Sequence, residues 1–249
     1  MIIDTHAHVW ESFMSFTCPS MEEIIQGMDN SGIDITVFSS LSAMINTDPH
    51  EDNLFIKKLV DTYPDRIRGE CVVTPYAGKK AVEEFETCLN EYKFIGLKLH
   101  PWIQGYAGGS DFLAPLLDLC GQYDVPVIFH TGTPPYAQAY HLWVQAKRFP
   151  KVRFIFGHSG LNYQWRDALE TGKMCPNTYF DTSGISYMFA VKRIIKELGA
   201  HRVMFGSDNP FLYPETELEK VKNLGLHDRD LEMVFWKTAE EVFRTSFTS

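Results

Sequence analysis

Residues 2–10 read IIDTHAHVW, a β-branched run typical of a buried strand that nevertheless carries three polar side chains. Successive side chains of a strand point to opposite faces, so Asp4, His6 and His8 are predicted to share one face. Three buried polar side chains on one face of a strand require an explanation from the rest of the chain.

Short β-branched and aromatic runs alternate with longer segments of helical character along the whole chain. The predicted strands are 2–9, 34–40, 67–74, 94–100, 125–131, 152–158, 178–183 and 202–208. The predicted helices are 20–30, 51–63, 79–92, 111–123, 136–149, 162–173, 186–199, 215–224 and 228–245. The first helix opens with a capping-box pattern, because Glu23 lies three residues after Ser20.

This alternation indicates parallel strands that are joined by right-handed crossovers. Eight strand–helix units in 249 residues predict an α/β fold, a closed (β/α)₈ TIM barrel that occupies residues 1–249 as a single domain. The competing arrangement is a doubly wound open sheet. It usually has a glycine-rich phosphate turn after its first strand, and none follows Val9.

The bulk composition excludes several classes of protein. The formal charge of −9 and the pI of about 5.5 argue against a nucleic-acid surface, which needs clustered Lys and Arg. The five cysteines are scattered without a CxxC pair, so neither a disulfide framework nor a thiolate zinc site is predicted. No stretch has the roughly 20 apolar residues of a membrane span, and no signal segment is expected. These features predict a cytoplasmic protein without nucleic-acid or membrane partners.

Polar side chains occur repeatedly at the carboxyl ends of the predicted strands. Besides Asp208, five of the nine histidines lie there: His6, His8, His100, His130 and His158. In a barrel these strand ends meet at one rim, where active sites are built. Imidazole nitrogens together with a carboxylate suit Zn²⁺, Fe²⁺ or Mn²⁺, so the joint placement predicts a site for a divalent metal.

Each motif has a simpler structural explanation when it is taken alone. A His-x-His pair occurs by chance on surface strands, and a lone strand-end histidine is more often a core residue bonded to a carbonyl. The segment GSDNP resembles an Asx-type turn. Asp4 is expected one layer below the histidines, as a carboxylate that supports them or as a structural acid. The shared position at strand ends favours the metal site.

The sequence resembles the metal-dependent amidohydrolase superfamily, and most closely its amidohydrolase 2 branch. The resemblance spans essentially the whole chain and rests on five motifs: DTHAH (4–8), GLKLHP (96–101), VIFHTG (127–132), FIFGHSG (154–160) and MFGSDNP (204–210). It implies a (β/α)₈ barrel, a small-molecule substrate and a homodimer, since relatives are often dimers. It also implies one divalent metal per chain, for which we expect Zn²⁺ ahead of Mn²⁺ or Fe²⁺.

The resemblance also implies a set of metal ligands. His6, His8, His130 and Asp208 would hold the metal. His158 would lie beside it, either as a catalytic group or as the ligand of a second ion. Relatives with two metals bridge them with a carboxylated lysine or with a glutamate on the fourth strand.

Lys98 lies on the predicted fourth strand and is compatible with three roles. A carboxylated Lys98 would bridge two metals. An uncarboxylated Lys98 would act as a cation at the site, which is the role we expect. The third role is structural, in which the ammonium pairs with a buried acid such as Glu70.

The expected chemistry uses a metal-bound water whose pKa falls from 15.7 towards roughly 7. Asp208 would take a proton from this water and then deliver it to a leaving group. His158 would polarise the substrate carbonyl or hold the water. Lys98 and His100 would pair with a substrate carboxylate or stabilise an oxyanion.

Side chains that follow the strand ends are predicted to wall the substrate pocket. Trp10 and Trp102 are expected to contact the substrate. Arg166 would meet a substrate carboxylate, or would lie as a solvated residue on its helix. Further aromatic candidates, for which packing of loops onto helices is the alternative, are Phe13, Tyr106, Tyr136, Tyr163 and Trp165.

The leading expectation is a metal-dependent hydrolase of an amide, ester or lactone of a small organic acid. The alternative is a non-oxidative decarboxylase, a lyase, of a small carboxylated aromatic or unsaturated acid. Decarboxylating relatives are usually longer, and the short loop at 11–19 argues against a direct carry-over of their activity. A scaffold without catalysis is disfavoured because the expected site residues are all present. A deoxyribonuclease is disfavoured by the acidic charge and by the missing glutamate on the fourth strand.

Overall fold

Eight parallel strands lie side by side in chain order in one sheet. The computed structural model describes residues 1–10, 12–13, 16–17 and 19–247. The strands are β1 (Ile3–Val9), β2 (Ile35–Ser40), β3 (Ile67–Val72), β4 (Gly96–Leu99), β5 (Val127–His130), β6 (Phe154–Gly157), β7 (Thr178–Asp181) and β8 (Val203–Met204). All eight predicted strands are present. The largest difference is at the last one, which was predicted over 202–208 and ends at Met204.

The segment that follows β8 runs beside β1 and closes the sheet. The amide of Asp208 donates to the carbonyl of His6 over 2.7 Å, and the amide of His8 donates to the carbonyl of Asn209 over 2.7 Å. The two edges of the sheet are therefore joined by backbone hydrogen bonds, which confirms the predicted (β/α)₈ barrel.

Helices follow the strands around the barrel. They are α1 (Met21–Ser31), α2 (His50–Thr62), α3 (Lys79–Asn90), α4 (Pro101–Gln104), α5 (Ala114–Gln122), α6 (Ala139–Arg148), α7 (Leu161–Met174), α8 (Met188–Leu198), α9 (Pro214–Lys222), α10 (Asp228–Glu232) and α11 (Thr238–Phe243). A π-helical turn, Met233–Lys237, joins the last two. The predicted capping box is present, since the Glu23 amide donates to Ser20 Oγ and the Ser20 amide donates to the Glu23 carboxylate.

The short helix α4 was not predicted from the sequence, nor was a two-stranded hairpin formed by Ser12–Phe13 and Phe16–Thr17. Within the described residues, none of the helices has the length and apolar character needed to cross a membrane.

An apolar cluster fills the end of the barrel at which the strands begin. The candidate site lies at the other end. The members of the cluster come from the first residues of several strands and from the C-terminal segment: Ile3, Ile35, Val37, Ile128, Ile155, Met204, Ala239, Val242, Phe243 and Phe247. Because these residues are buried together at the strand starts, the polar strand ends lie at the opposite rim.

The expectation that Asp4 shares a face with His6 and His8 is wrong. Asp4 pairs with Thr36 and Ala7 pairs with Phe38, so three steps along β1 match two steps along β2. Such an extra residue is a β-bulge, which reverses the facing of the residues beyond it. The bulge therefore separates Asp4 from the histidines.

The Asp4 carboxylate lies on the outer side of the barrel and links β1 to the segment that follows β8. It lines a cavity of about 140 Å³ with Met28 and Ser31 of α1. It accepts hydrogen bonds from the amide of Ser207, over 2.9 Å, from the Ser207 hydroxyl and from the His6 amide, over 3.2 Å. Asp4 is thus a structural acid, which was one of the two roles expected for it.

The pH dependence of stability tests this role of Asp4. Burial raises the pKa of Asp4 to about 7, although hydrogen bonds from Ser207 oppose the shift. The stability that Asp4 contributes is therefore complete below about pH 4 and is lost as pH rises through 7. Asp4 should lower the free energy of unfolding of the wild-type protein by roughly 3–4 kcal/mol as pH rises, and we predict that this fall is absent in Asp4→Asn. Urea titrations between pH 4.5 and 8 measure the free energy of unfolding of both proteins. The same dependence of this free energy on pH in both would contradict the assignment.

Candidate metal centre

Five imidazole rings form a continuous series across the rim of the barrel. Ring centroids are 5.1 Å apart for His8 and His6, 4.7 Å for His6 and His158, and 4.7 Å for His158 and His130. His130 then stacks on His100 at 3.9 Å. These are the five histidines that the sequence analysis placed at strand ends, and we call them the histidine cluster.

Asp208 brings a carboxylate to the same place. Its Oδ1 lies 3.3 Å from Nε2 of His8 and 3.6 Å from Nε2 of His6. Ligand atoms of His6, His158 and Asp208 all lie within 4.8 Å of one another, close enough to share one metal ion. The backbone of Asp208 is left-handed, with φ of +60°, a strained conformation that is common at functional sites.

The electrostatics of the site fit a divalent cation. Burial lowers the pKa of both His6 and His8, and Lys98 lowers them further, so these imidazoles are neutral and keep a lone pair. Burial opposes ionisation of Asp208, yet His158, His8 and His6 together hold the pKa of this carboxyl below its usual range. Neutral imidazoles around one carboxylate anion form the donor set that Zn²⁺, Mn²⁺ or Fe²⁺ prefers.

Lys98 is fully buried among these groups. Its Nζ lies 2.5 Å from Nε2 of His6, which is the nitrogen that faces Asp208. Burial raises the pKa of Glu70 to about 8 against the opposing effect of Lys98, and Oε1 of Glu70 accepts no hydrogen bond among the described residues. Lys98 thus hydrogen-bonds to His6 of the histidine cluster. Burial lowers the pKa of Lys98, and the charges of Asp208 and Glu70 oppose this.

Distance and resemblance differ over the remaining ligand. His158 shares the 4.8 Å group with Asp208, whereas the resemblance assigns the ligand role to His130. Nε2 of His130 lies 2.6 Å from the Thr133 hydroxyl. Both rings border the same space, since their centroids are 4.7 Å apart.

Two residues that were not predicted from the sequence contact the histidine cluster from β7 and the loop after it. Oδ2 of Asp181 lies 2.7 Å from Nδ1 of His6, and Oδ1 accepts the His158 amide over 2.9 Å. The Ser183 hydroxyl lies 2.7 Å from Oδ1 of Asp181 and 2.9 Å from Nδ1 of His158. The signal was present in TYFDTS, residues 178–183, where an acid ends an apolar strand as Asp208 does.

Two glycines, Gly206 and Gly157, leave space beside His6. A Cβ on Gly206 would lie 2.9 Å from Cβ of His6, and a Cβ on Gly157 would lie 2.8 Å from the Phe129 carbonyl oxygen. Both distances are shorter than real contacts of a Cβ atom. Glycine next to Ser207 and His158 is therefore needed for the strands to approach at this rim.

The residues predicted to contact the substrate, His100, Trp102 and Trp10, differ from one another in their surroundings. His100 stacks on His130, and burial, reinforced by Lys98, holds its pKa well below the usual range, so it is neutral. Trp102 is half exposed on α4. Trp10 is buried with residues at or after the ends of β2, β3 and β4: Leu41, Ala43, Met44, Val72 and the partly buried Ile103. We call this group the apolar wall.

Arg166 is not brought to the histidine cluster. It lies on α7 with its guanidinium over the ring of Trp165, 4.4 Å from the centroid. Both residues line a groove with Lys173 and Arg193, between α7 and α8. The groove also contains the acidic residues Glu170 and Glu197.

The additional aromatic candidates do not form one pocket. Tyr163 is largely exposed, Tyr136 is partly exposed, and Tyr106 and Trp165 are buried. The side chain of Phe13 lies outside the described residues.

A (β/α)₈ barrel with imidazoles and a carboxylate converging at the carboxyl ends of its strands defines a class of metal-dependent barrel enzymes. The chain matches the amidohydrolase family over residues 3–245 and belongs to that family.

Relatives cover most of the chain at low identity. The γ-resorcylate decarboxylase of Polaromonas sp. strain JS666 is 23% identical, with 94% of this chain and 90% of that protein covered. The 2-keto-4-carboxy-3-hexenedioate hydratase of Sphingobium sp. strain SYK-6 is 26% identical, with 71% and 65% covered. The solved dihydroxybenzoic acid decarboxylase of Polaromonas sp. JS666, with bound manganese and the inhibitor 2-nitroresorcinol, has a TM-score of 0.80 at 19% identity, covering 98% and 96% of the two chains. This last likeness shows the common fold.

Metal content tests the donor set. We predict that purified protein binds about one Mn²⁺ or Zn²⁺ per chain, and that His6→Ala and Asp208→Ala each weaken binding by more than about 100-fold, because each removes a ligand atom. Elemental analysis after dialysis against limiting chelator measures this. His227→Ala, an exposed histidine outside the cluster, is the matched control. Unchanged stoichiometry in both site variants would refute the site.

Proposed function

We propose that this protein is a metal-dependent, non-oxidative decarboxylase of small aromatic acids that carry a hydroxyl group next to the carboxylate. The observation that carries the proposal is the γ-resorcylate decarboxylase relative, which aligns over 94% of this chain and 90% of its own length. That coverage weakens the objection from chain length, because little of the relative is left unmatched. The comparisons favour this alternative over the hydrolase that the sequence analysis put first.

We propose that His6, His8, His130 and Asp208 hold one divalent cation. The manganese in the similar dihydroxybenzoic acid decarboxylase supports Mn²⁺ alongside the Zn²⁺ expected first. When bound, the cation would fix the phenolic and carboxylate oxygens of the substrate and neutralise their charge. Lys98 lies against His6 and would add a second positive charge beside these oxygens.

The reaction replaces the carboxylate of the substrate with a proton and releases CO₂. The ring carbon must gain its proton as the carbon–carbon bond breaks, because a bare aryl carbanion is a poor leaving group. We assign this proton transfer to Nε2 of His158, which would first accept the proton of the substrate hydroxyl and then deliver it to the ring carbon. The phenolate oxygen of the product would regain a proton from water. Asp208 is a weaker candidate, because the imidazoles hold the pKa of its carboxyl low and keep it ionised.

This assignment also decides the last ligand. A histidine nitrogen bound to a metal has no lone pair with which to carry a proton. If His158 carries the proton, then His130 is the ligand, as the resemblance implies. We therefore predict that His130→Ala loses the metal and that His158→Ala keeps it. The same elemental analysis tests this, and the reverse pattern would exchange the two roles.

We propose that the ring of the substrate lies against the apolar wall. Trp10, Leu41 and Val72 are buried at the ends of β1, β2 and β3, whereas His130 and His158 lie at the ends of β5 and β6. A planar ring between these two sides would have apolar contacts on one side and polar contacts on the other. A ring bound there would exclude water, which would strengthen the electrostatic interactions around it.

A second candidate is hydration of an unsaturated acid, which the 26% identical hydratase relative favours. Hydration also needs a proton carrier and a cation, so the site chemistry is compatible with it. The two reactions differ in the fate of the carboxylate, which is lost only in decarboxylation.

Incubation of the metal-loaded protein with 2,6-dihydroxybenzoate labelled with ¹³C in the carboxyl group tests the proposal. We predict labelled CO₂ and resorcinol in equal amounts. His158→Gln should lower kcat by about 10²–10⁴-fold with the metal retained, as expected for loss of a proton carrier.

Exposed Tyr163→Phe is the matched control for handling effects. If no hydroxybenzoate releases CO₂ while a lactone, an amide or an unsaturated acid is turned over, the decarboxylase proposal is wrong.

A further inference from the structure

We propose that Asp181 is a positioning residue that determines which ring nitrogen carries the proton on both His6 and His158. It acts on His6 directly and on His158 through the hydroxyl of Ser183. The consequence for catalysis rests on the proposed function, but the proton positions themselves do not.

The direction of every hydrogen bond at Asp181 follows from its partners. Oδ1 accepts the amide of His158 over 2.9 Å and the amide of Ser183 over 3.0 Å. Oδ2 lies 2.7 Å from Nδ1 of His6. A carboxylate accepts hydrogen bonds and donates none. His6 therefore carries its proton on Nδ1, and its Nε2 keeps the lone pair, in agreement with the Lys98 ammonium that donates to Nε2.

The same reasoning extends to His158 through a single hydroxyl proton. Ser183 Oγ lies 2.7 Å from Oδ1 of Asp181, so its only proton points to the carboxylate. The hydroxyl oxygen must then accept the hydrogen bond from Nδ1 of His158, which lies 2.9 Å away. His158 is therefore also protonated on Nδ1, and its Nε2 is free to bind a cation or to move a proton.

Burial makes this arrangement strict. Asp181 and Ser183 are fully buried, and so nearly are His6 and His158. Water cannot easily replace a hydrogen bond there, and a mismatched donor pair would leave two hydrogens facing each other. One carboxylate thus prepares two imidazoles with the same orientation, as acids behind metal-binding histidines do.

Asp181→Asn separates this role from a purely structural one. The two backbone amides require the amide oxygen of Asn at the Oδ1 position, so the NH₂ group faces His6. It would donate to Nδ1 and transfer the His6 proton to Nε2, and the Lys98 ammonium would then lose its hydrogen bond to that nitrogen. In protein labelled with ¹⁵N-histidine and free of metal, we expect the His6 ring shifts to change from the Nδ1–H to the Nε2–H tautomer. Metal affinity should fall by about 10–100-fold.

Ser183→Ala is the second variant, and it remains informative if Asp181→Asn does not fold. It should release the tautomer of His158 and leave His6 protonated on Nδ1, since the direct contact with Asp181 is kept. Ser39→Ala is the matched control, because the Ser39 hydroxyl lies 3.0 Å from Nδ1 of His8 and contacts neither His6 nor His158 in the described residues. It should leave the ring shifts of both unchanged.

The outcomes are distinct from those that test the reaction. If wild-type His6 or His158 carries its proton on Nε2, or if neither Asp181→Asn nor Ser183→Ala changes a tautomer, the inference is overturned whatever the substrate is. If the tautomers change as expected and no carboxylated substrate is decarboxylated, Asp181 keeps its positioning role and only the proposed function fails.

Discussion

The backbone hydrogen bond from the Asp208 amide to the His6 carbonyl is the contact on which the rest of the site depends. It joins the segment after β8 to β1, so it closes the barrel and places a carboxylate beside two imidazoles in one step. Asp4 reinforces the junction from outside by holding Ser207. Residues from opposite ends of the sequence therefore meet without a loop between them, and the geometry of the site is inherited from the register of the sheet.

The sequence predicted what depends on strand position and failed where local geometry intervened. Strand ends in a barrel converge, so the convergence of the histidine cluster and Asp208 followed from their places alone. The facing of Asp4 did not, because strict alternation fails at a β-bulge that only the pairing with β2 reveals. Asp181 was missed because its role depends on contacts with His6 and His158, which come from other strands. For Arg166 the sequence left two places open, near a substrate carboxylate or solvated on its helix, and its guanidinium lies over the ring of Trp165.

The same site chemistry serves hydrolysis, hydration and decarboxylation, which explains why the strand motifs leave the reaction open. Each can use a bound cation, a carboxylate and a proton carrier. The strand ends supply imidazoles and a carboxylate, which can hold a cation and carry protons. The choice among them belongs to the walls around the substrate, and those are built from loops. The apolar wall at the ends of β1 to β3 is the side on which the proposed function places the substrate ring.

Anomalous diffraction from crystals of the protein grown with Mn²⁺ tests the central claim most directly. A single strong peak at the manganese edge is predicted, about 2.0–2.3 Å from nitrogens of His6 and His8 and from an oxygen of Asp208. A peak elsewhere in the molecule, or a rim where these three side chains surround only water at saturating Mn²⁺, would contradict it.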